Sequence, residues 1–368
     1  MKGQAAHHQI HKIQILQLLN IAGTLEVSRI GRLIGIKPGN METVLTQMQK
    51  AGKIVRSGNC IALDSGALED ISPSSDAVMR VFSDFIHRSD YYTASGQVGK
   101  VRLDNTHRFR YLRMSEVNAL IHTSGGMIYP GRKPPFPQSS QALQPVYYTS
   151  FEFKNMGDLT FKINSSKAMG LLRNRDDSFL LYNTHNHPLK WEDMTEYRTR
   201  VLMEQCCGGK LHSIMTGADM ECAYLLLSSN CGKQNQYYRI SEYQPDMYYL
   251  PQNQDGIFLM KFTHLTNSAE QLKRKLLMGI DLPEEKTVYC DGFADERTPI
   301  LFACDFDMVQ MDRFKSYMEI NHLTGLIFCL DFQLPILEHY FGNTVTIRVL
   351  NTKATADLFG IPYGGKGG

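Results

Sequence analysis

Between residues 299 and 350 the sequence repeats one alternation: an apolar run, then a helical segment. PILFACDF, GLIFCLDF and TVTIRVL are the apolar runs, and DRFKSYMEI and PILEHYFG lie between them. A run that is apolar throughout, and not only at every second residue, belongs to a strand covered on both faces. Strands of that kind joined by helices build an α/β sheet, so the chain is α/β, or α+β overall once its N-terminal part is included. Upstream, strands are expected in VYYTSFEFK, KAMGLLRN and SFLLYNTHN, with a helix from about Glu192 to Cys206. MTGADMECAYLLLSS fits a helix, while DMYYLP and GIFLMKFTHL read as two strands around a Gln254-Asp255-Gly256 turn. NSAEQLKRKLLMG is a helix with Asn267 or Ser268 as its cap. Residues 146–368 thus form one α/β region.

The first 64 residues follow a different rule. Ile13, Leu16, Leu19 and Ile21 mark the apolar face of a helix that stops at Gly23. Val27, Ile30, Leu33 and Ile34 repeat that face, with Thr24 as cap and Gly35 as stop. A third helix after Pro38 turns Val44, Leu45 and Met48 inward and ends at Gly52. KIVRSGNCIAL then alternates around Ser57, Gly58 and Asn59, a hairpin signal. Three helices and a hairpin are the winged helix-turn-helix order.

Charge separates the same segment from the rest. The 368 residues hold 39 Lys and Arg against 37 Asp and Glu, a net charge of +2. Residues 1–64 contain eight of the cations and only three acids, a local +5, so the remainder carries −3. A small basic unit on a mildly acidic body suits a phosphate-binding module, because Lys and Arg release counterions on docking. Asn40, Thr43, Thr46, Gln47 and Lys50 fall on the outer face of the third helix, with Lys53 and Arg56 on the hairpin. These seven are the candidate contacts to double-stranded DNA: the amides can read base edges and the cations hold phosphates. Winged helices also dock proteins, so a protein-binding scaffold is a second reading.

Residues 65–145 are a connection. SGALEDISP is a linker, and DAVMRVFSDFIHR is a helix that can brace the wing, open the next domain or form a homodimer contact. KVRL and FRYLRM are strand-like, and GMIYPGRKPPFPQSSQ, with Arg132 and Lys133, is a solvated loop. No membrane span is expected, since no apolar run reaches about 18 residues, and MKGQAAHHQIHK lacks the apolar centre of a secretory signal. A cytoplasmic protein with reduced, buried thiols follows, because the eight cysteines are scattered and form no CxxC pair.

GxxxxGK[ST], HExxH, GxSxG and a strand followed by GxGxxG are all missing, which removes the classical NTPase, zincin, hydrolase and dinucleotide-binding readings. The best catalytic candidates are Asp246 and Lys261 in QPDMYYLPQNQDGIFLMKF. A carboxylate at one strand end and a carboxylate plus Lys on the neighbouring strand can hold Mg²⁺ and a water against a phosphate. Leu259 stands where the second carboxylate is wanted, so the site is degenerate unless Glu242, Asp255 or another acid fills in. Mg²⁺ is therefore a cofactor only under a nuclease reading. Asp291, Asp305 and Asp307, with Asp246, are the candidate metal ligands, and Asp331 follows the next strand. The alternative is that Asp305 to Asp307 and Asp331 cap helices. Glu152 and Lys154 form a chance acid-x-Lys pair, and His185 and His187 an exposed turn pair. Trp191 is a packing anchor beside the solvated charges Glu192, Glu196, Arg198 and Arg200.

The N-terminal pattern, the PD…K spacing and the Lys-rich AEQLKRKLLMG together resemble the replication-relaxation type of protein carried by conjugative and plasmid elements of Gram-positive bacteria. SFEFKN, NSSKAMGLL, LLYNTHNHPLKWEDMTEYRTR and GIFLMKFTHLTNSAEQLKRKL are similar to proteins of clostridial mobile elements. The resemblance implies a winged helix ahead of a domain related to restriction-type nucleases. It also implies a role in replication, mobilisation or its regulation, with a relaxase or replication initiator as partner. Only Asp246 and Lys261 map onto that family's acidic and basic positions, and Leu259 departs from them.

Overall fold

The computed structural model describes residues 2–67, 108–128, 133–137, 144–154, 163, 165–175, 177–186, 193–228, 245–280 and 288–364. The expected helix at 76–88, the KVRL segment, Arg132, His187, Trp191, Glu192, Cys231 and Glu242 lie outside them.

The chain opens with α1 (Lys2–Ala22), whose Ile15, Leu16, Leu19 and Ile21 are buried. Next come β1 (Thr24–Glu26), α2 (Val27–Ile34), α3 (Pro38–Lys50), β2 (Ile54–Ser57) and β3 (Cys60–Leu63). Gly35 ends α2 in the left-handed region at φ 71°, the conformation that a residue without Cβ takes at no steric cost. Thr24 does not cap α2 as expected. Thr24 and Leu25 pair with Ala62 and Ile61, giving an antiparallel sheet of order β1-β3-β2. A third strand satisfies the backbone edge that a bare hairpin would leave open, and it buries Leu25 completely.

A second correction concerns FRYLRM, which is helical. It belongs to α4 (Arg108–Ser124), where Leu112, Val117, Leu120 and Ile121 are buried at helical spacing. Helix α4 packs against α1, α2 and β1, and the Ser115 hydroxyl donates to the Ala22 carbonyl at 2.6 Å. Apolar contact runs without a break from Leu19 and Leu33 through Leu120 to Phe262, Phe302 and Leu330.

A five-stranded sheet of order β4-β5-β6-β7-β8 follows: β4 (Val146–Thr149), β5 (Gly170–Asn174), β6 (Asp177–Asn183), β7 (Lys210–Gly217) and β8 (Tyr248–Pro251). Strand β5 is antiparallel to β4 and β6, whereas β6, β7 and β8 are parallel. The expected strand VYYTSFEFK breaks at Thr149, and Ser150–Lys154 forms a short helix, α5. Helices α6 (Asp193–Cys207) and α7 (Met220–Ser228) make the crossovers between the parallel strands. Glu152 accepts from the Thr149 backbone and hydroxyl, which turns the chain, and it pairs with Lys133 at 2.7 Å. Lys133 is therefore buried, not a solvated loop residue. The segment expected as one helix from 215 is helical from Met220, while its first residues, Met215 to Gly217, complete β7. Gly217 is required there, since a Cβ would collide with the Tyr249 hydroxyl.

The largest departure is at 254–265. A helix, α8 (Gln254–Leu259), runs into a π-helical turn (Met260–Leu265) in place of the expected strand. The Asn253 side chain accepts from the backbone N–H groups of Asp255 and Gly256, so Gln254-Asp255-Gly256 is a first helical turn and not a hairpin tip. Ile257 to Met260 and Phe262 are all buried, and an apolar run enclosed on all sides carries no period that separates helix from strand.

Helix α9 (Ser268–Leu276) leads to a second sheet of order β12-β11-β10-β9. Its strands are β9 (Gly292–Phe293), β10 (Pro299–Phe302), β11 (Gly325–Leu330) and β12 (Val345–Leu350), with β10, β11 and β12 parallel. Helices α10 (Met308–Asn321), α11 (Leu334–Phe341) and α12 (Thr352–Leu358) complete the alternation expected from the sequence. The two sheets meet where Tyr249 N–H donates to the Phe306 carbonyl and Met308 N–H to that of Met247. Seven of the cysteines are free thiols, six of them buried. Among the described residues no helix is long and apolar enough to cross a membrane.

Candidate functional site

Three places gather functional side chains. The first is the outer face of α3. Met41, Val44, Leu45 and Met48 are buried, which leaves Asn40, Thr43, Thr46, Gln47 and Lys50 exposed along one side. The two hairpin cations are engaged. Lys53 donates to the Gly66 carbonyl at 2.8 Å, and Arg56 grips Glu42 with two bonds of 2.7 and 3.1 Å. That forked pairing raises Arg56 and lowers Glu42 from their ordinary pKa values.

The second place is a buried polar clasp between α2, α4 and the end of β6. Glu116 of α4 accepts from Arg29 Nε at 2.9 Å, from Asn183 Nδ2 at 2.8 Å and from His185 Nδ1 at 2.8 Å. Arg29 also donates to Asn186. Burial alone would raise the Glu116 pKa, but His185, Arg29 and Asn183 together hold it below the usual carboxylate value. His185 is buried and sits at φ 59°, so the expected exposed turn histidine is a structural partner. Glu26 lies 3.9 Å from its other nitrogen. Glu26, Glu116 and His185 are the one His and carboxylate set, among the described residues, with ligand atoms within 4.8 Å of one another. The Arg29 guanidinium already supplies a positive charge at Glu116. Arg32 donates to the Ala218 carbonyl and Gln254 to that of Leu33, extending the contact between α2 and the body.

The third place is a cleft of about 190 Å³ between the two sheets, at the opposite end of β6. Asp177, Phe179, Lys210, His212, Tyr248, Thr263, His264, Asn267, Glu270, Lys273 and Asp305 contribute to its walls. The sequence candidates gather around it in unexpected partnerships. Asp246 accepts from His212 Nδ1 at 2.5 Å and from Ser213 N–H at 3.2 Å. Burial would lower His212, but Asp246 and then Asp177 raise it above its ordinary value. Asp291 is paired with Lys273 and accepts from Phe302 N–H at 2.7 Å. Asp307 caps α10 through Val309 N–H and also accepts from Met247 N–H. Burial and the Asp246 charge push Asp307 up to about 6; burial and Asp307 push Asp305 up to about 7. Asp331 takes the Thr352 hydroxyl and backbone N–H at the start of α12. The capping alternative thus describes Asp307; Asp331 does not cap the helix that follows it, and Asn351 is the cap of α12.

Lys261 is not brought to Asp246 on a neighbouring strand. It sits in the π-helical turn, forms no ion pair among the described residues, and is lowered by burial. Leu259 is fully buried. Asp255 is raised by burial and accepts from the Tyr363 hydroxyl at 2.6 Å, so it does not supply the missing carboxylate. Sequence reasoning missed Arg29, Glu116, His212 and His264. Glu116 lies in α4 just past FRYLRM, which the sequence reads as strand-like, and its partners come from distant segments; His212 lies in β7, whose alternation around Leu211 is the available signal.

No protein-family model matches the sequence, and neither a curated protein nor a solved structure is significantly similar to it.

Proposed function

We propose that the protein binds double-stranded DNA through its N-terminal unit and acts in the replication, mobilisation or regulation of a mobile genetic element. The observation that carries the reading is the division of α3, with four apolar residues buried and Asn40, Thr43, Thr46, Gln47 and Lys50 exposed together on a unit of charge +5. The order helix, strand, helix, helix and hairpin, closed by a three-stranded sheet, supports a winged helix-turn-helix with α3 as the recognition helix. The clasp at Glu116 and the continuous core fix this unit to the body, so α3 is presented on a rigid mount. The body is read as a nuclease-like domain without activity. Its mixed sheet with helical crossovers agrees with the resemblance to restriction-type nucleases, while Lys261 on a helical turn, buried Leu259 and the engaged Asp246 argue against a Mg²⁺ site.

The test is fluorescence anisotropy of labelled duplex DNA against salt, with plasmid cleavage in Mn²⁺ run alongside. Salt-sensitive binding without nicking is expected. Replacing Lys50, Lys53 and Arg56 with Ala should flatten the salt slope by roughly one unit for each phosphate no longer neutralised. Because Lys53 and Arg56 hold protein partners, the expected change lies between about one and about three units. An unchanged affinity and slope would remove α3 and the hairpin from the interface. Nicking that Asp246→Ala and Lys261→Ala both abolish would replace the binding reading with a nuclease.

A further inference from the structure

The cleft between the sheets contains polar atoms that no described residue satisfies. His264 is 2% exposed, and neither ring nitrogen has a hydrogen-bond partner among the described residues. The adjacent Thr263 hydroxyl is also buried without a partner there. Both line the cleft, and both are carried by the π-helical turn, a distortion that recurs at functional sites. A buried polar atom left unpaired forfeits its hydration and receives nothing in return, so each of these demands a partner. The neighbours of His264 do not explain it. Phe179 and Tyr248 meet its ring edge-to-face at 4.8 Å, a surrounding in which phenylalanine would fit equally well. Burial and the nearby His212 charge depress His264 to about 3, so at neutral pH it offers one N–H and one acceptor nitrogen and no charge.

The charges of the cleft cancel locally. His212 is paired with Asp246, Lys273 with Asp291, and Glu270 with Arg274. Asp177 lies 3.7 Å from His212 Nε2, and Lys210, of opposite sign, is its register neighbour on β7. Asp305 lines the same cleft and brings a carboxyl group to its wall. A site of this kind rewards neither a phosphate nor a polycation. It rewards a ligand with several hydrogen-bonding groups, no charge, and a ring to set against Phe179 and Tyr248.

We propose that this cleft binds a small uncharged ligand bearing neighbouring ring hydroxyls, a free sugar or the ribose of a nucleoside, with Thr263, His264 and Asp305 as its hydrogen-bonding residues. The proposal stands apart from DNA binding, which uses α3 and the hairpin of the N-terminal unit.

The test is ligand-observed saturation-transfer NMR on the full chain, with D-ribose, D-glucose, adenosine and uridine as separate probes, and ³¹P line broadening for inorganic phosphate, which has no carbon-bound proton. Saturation transfer to a sugar or nucleoside probe, and no broadening of phosphate, is expected. His264→Phe should lose at least about tenfold in affinity while melting no lower than the parent, because it removes unpaired polar atoms from an aromatic box. Thr263→Val should also weaken binding, and it serves as the readout if His264→Phe fails to fold. Transfer to a nucleoside but to neither sugar would assign the ligand to the nucleoside source; transfer to both would assign the shared ring. No transfer to any sugar or nucleoside, phosphate binding as strongly as they do, or variants with unchanged affinity would each overturn the proposal.

Discussion

The two ends of β6 carry polar residues of the same kinds and treat them oppositely. At the Asn183 end, Glu116 has three donors, Arg29 has two acceptors, and the network ties α2 and α4 to the sheet. At the Asp177 end, His264 and Thr263 are buried with nothing to bond among the described residues, and Asp305 is held far above its ordinary pKa. Buried polar groups that are fully paired rigidify a fold, whereas unpaired ones burden it and signal a partner from outside. The ligand proposed for the cleft rests on that difference, together with the place of His264 and Thr263 on the cleft wall.

The strongest way to break the comparison is to unpair the clasp. Glu116→Ala would leave Arg29 buried and uncompensated, which costs about 3–5 kcal/mol. Urea denaturation should show that loss in the midpoint, and a change under about 1 kcal/mol would mean that the network is not structural. The pH dependence has a fixed sign. Glu116 has a lowered pKa in the folded state, so its contribution is present above the unfolded carboxylate value near about 4.3 and is lost as pH falls through the lower folded value.

Asp305 should behave in the reverse sense. Its folded pKa of about 7 lies above the unfolded value, so its protonated form favours folding at low pH. The penalty grows as pH rises from about 4 and is complete above about 7. Asp305→Asn should therefore stabilise the protein at about pH 8 by about 1–2 kcal/mol, after solvent screening is allowed for, and by nearly nothing at about pH 4. Equal midpoints at both pH values would show that Asp305 is not under electrostatic stress.

What the sequence disclosed follows the same division. The parallel strands β10 and β11 are legible because each is a short apolar run bounded by helix signals, and α3 because its apolar residues recur at helical spacing; β12, expected to be buried on both faces, is an edge strand with no buried residue. The run from Ile257 to Phe262 is not, because a segment buried on every side has no period. Asp246, Asp291, Asp305 and Asp307 stand out from their positions at strand ends, and they do gather near one cleft. Their partners His212, Lys273 and Met247 come from elements distant in sequence, so no local pattern could announce the pairings. Glu116 and His185 lie 69 residues apart, and only the packing of α4 across the end of β6 joins them.

The smallest expected effect tests a third kind of pairing, satisfied but exposed. Glu42 and Arg56 form a forked ion pair on the surface of the N-terminal unit, with side chains 52% and 31% exposed. Pairs in that setting contribute between about 0 and 1 kcal/mol, so Glu42→Gln should leave the melting temperature almost unchanged. Its effect on DNA should be larger than its effect on the fold. Glu42 places a negative charge on the same exposed side of α3 as Thr43 and Thr46, and it holds the Arg56 guanidinium away from any phosphate. Removing that charge frees Arg56 and removes a repulsion, which should tighten duplex binding by a few-fold and steepen the salt slope by up to about one unit. Binding that is unaffected while Lys50→Ala weakens it would place the phosphate path along α3 and away from the hairpin. Weaker binding would mean that Arg56 needs Glu42 to hold its orientation, a pre-organised contact in place of a competing one.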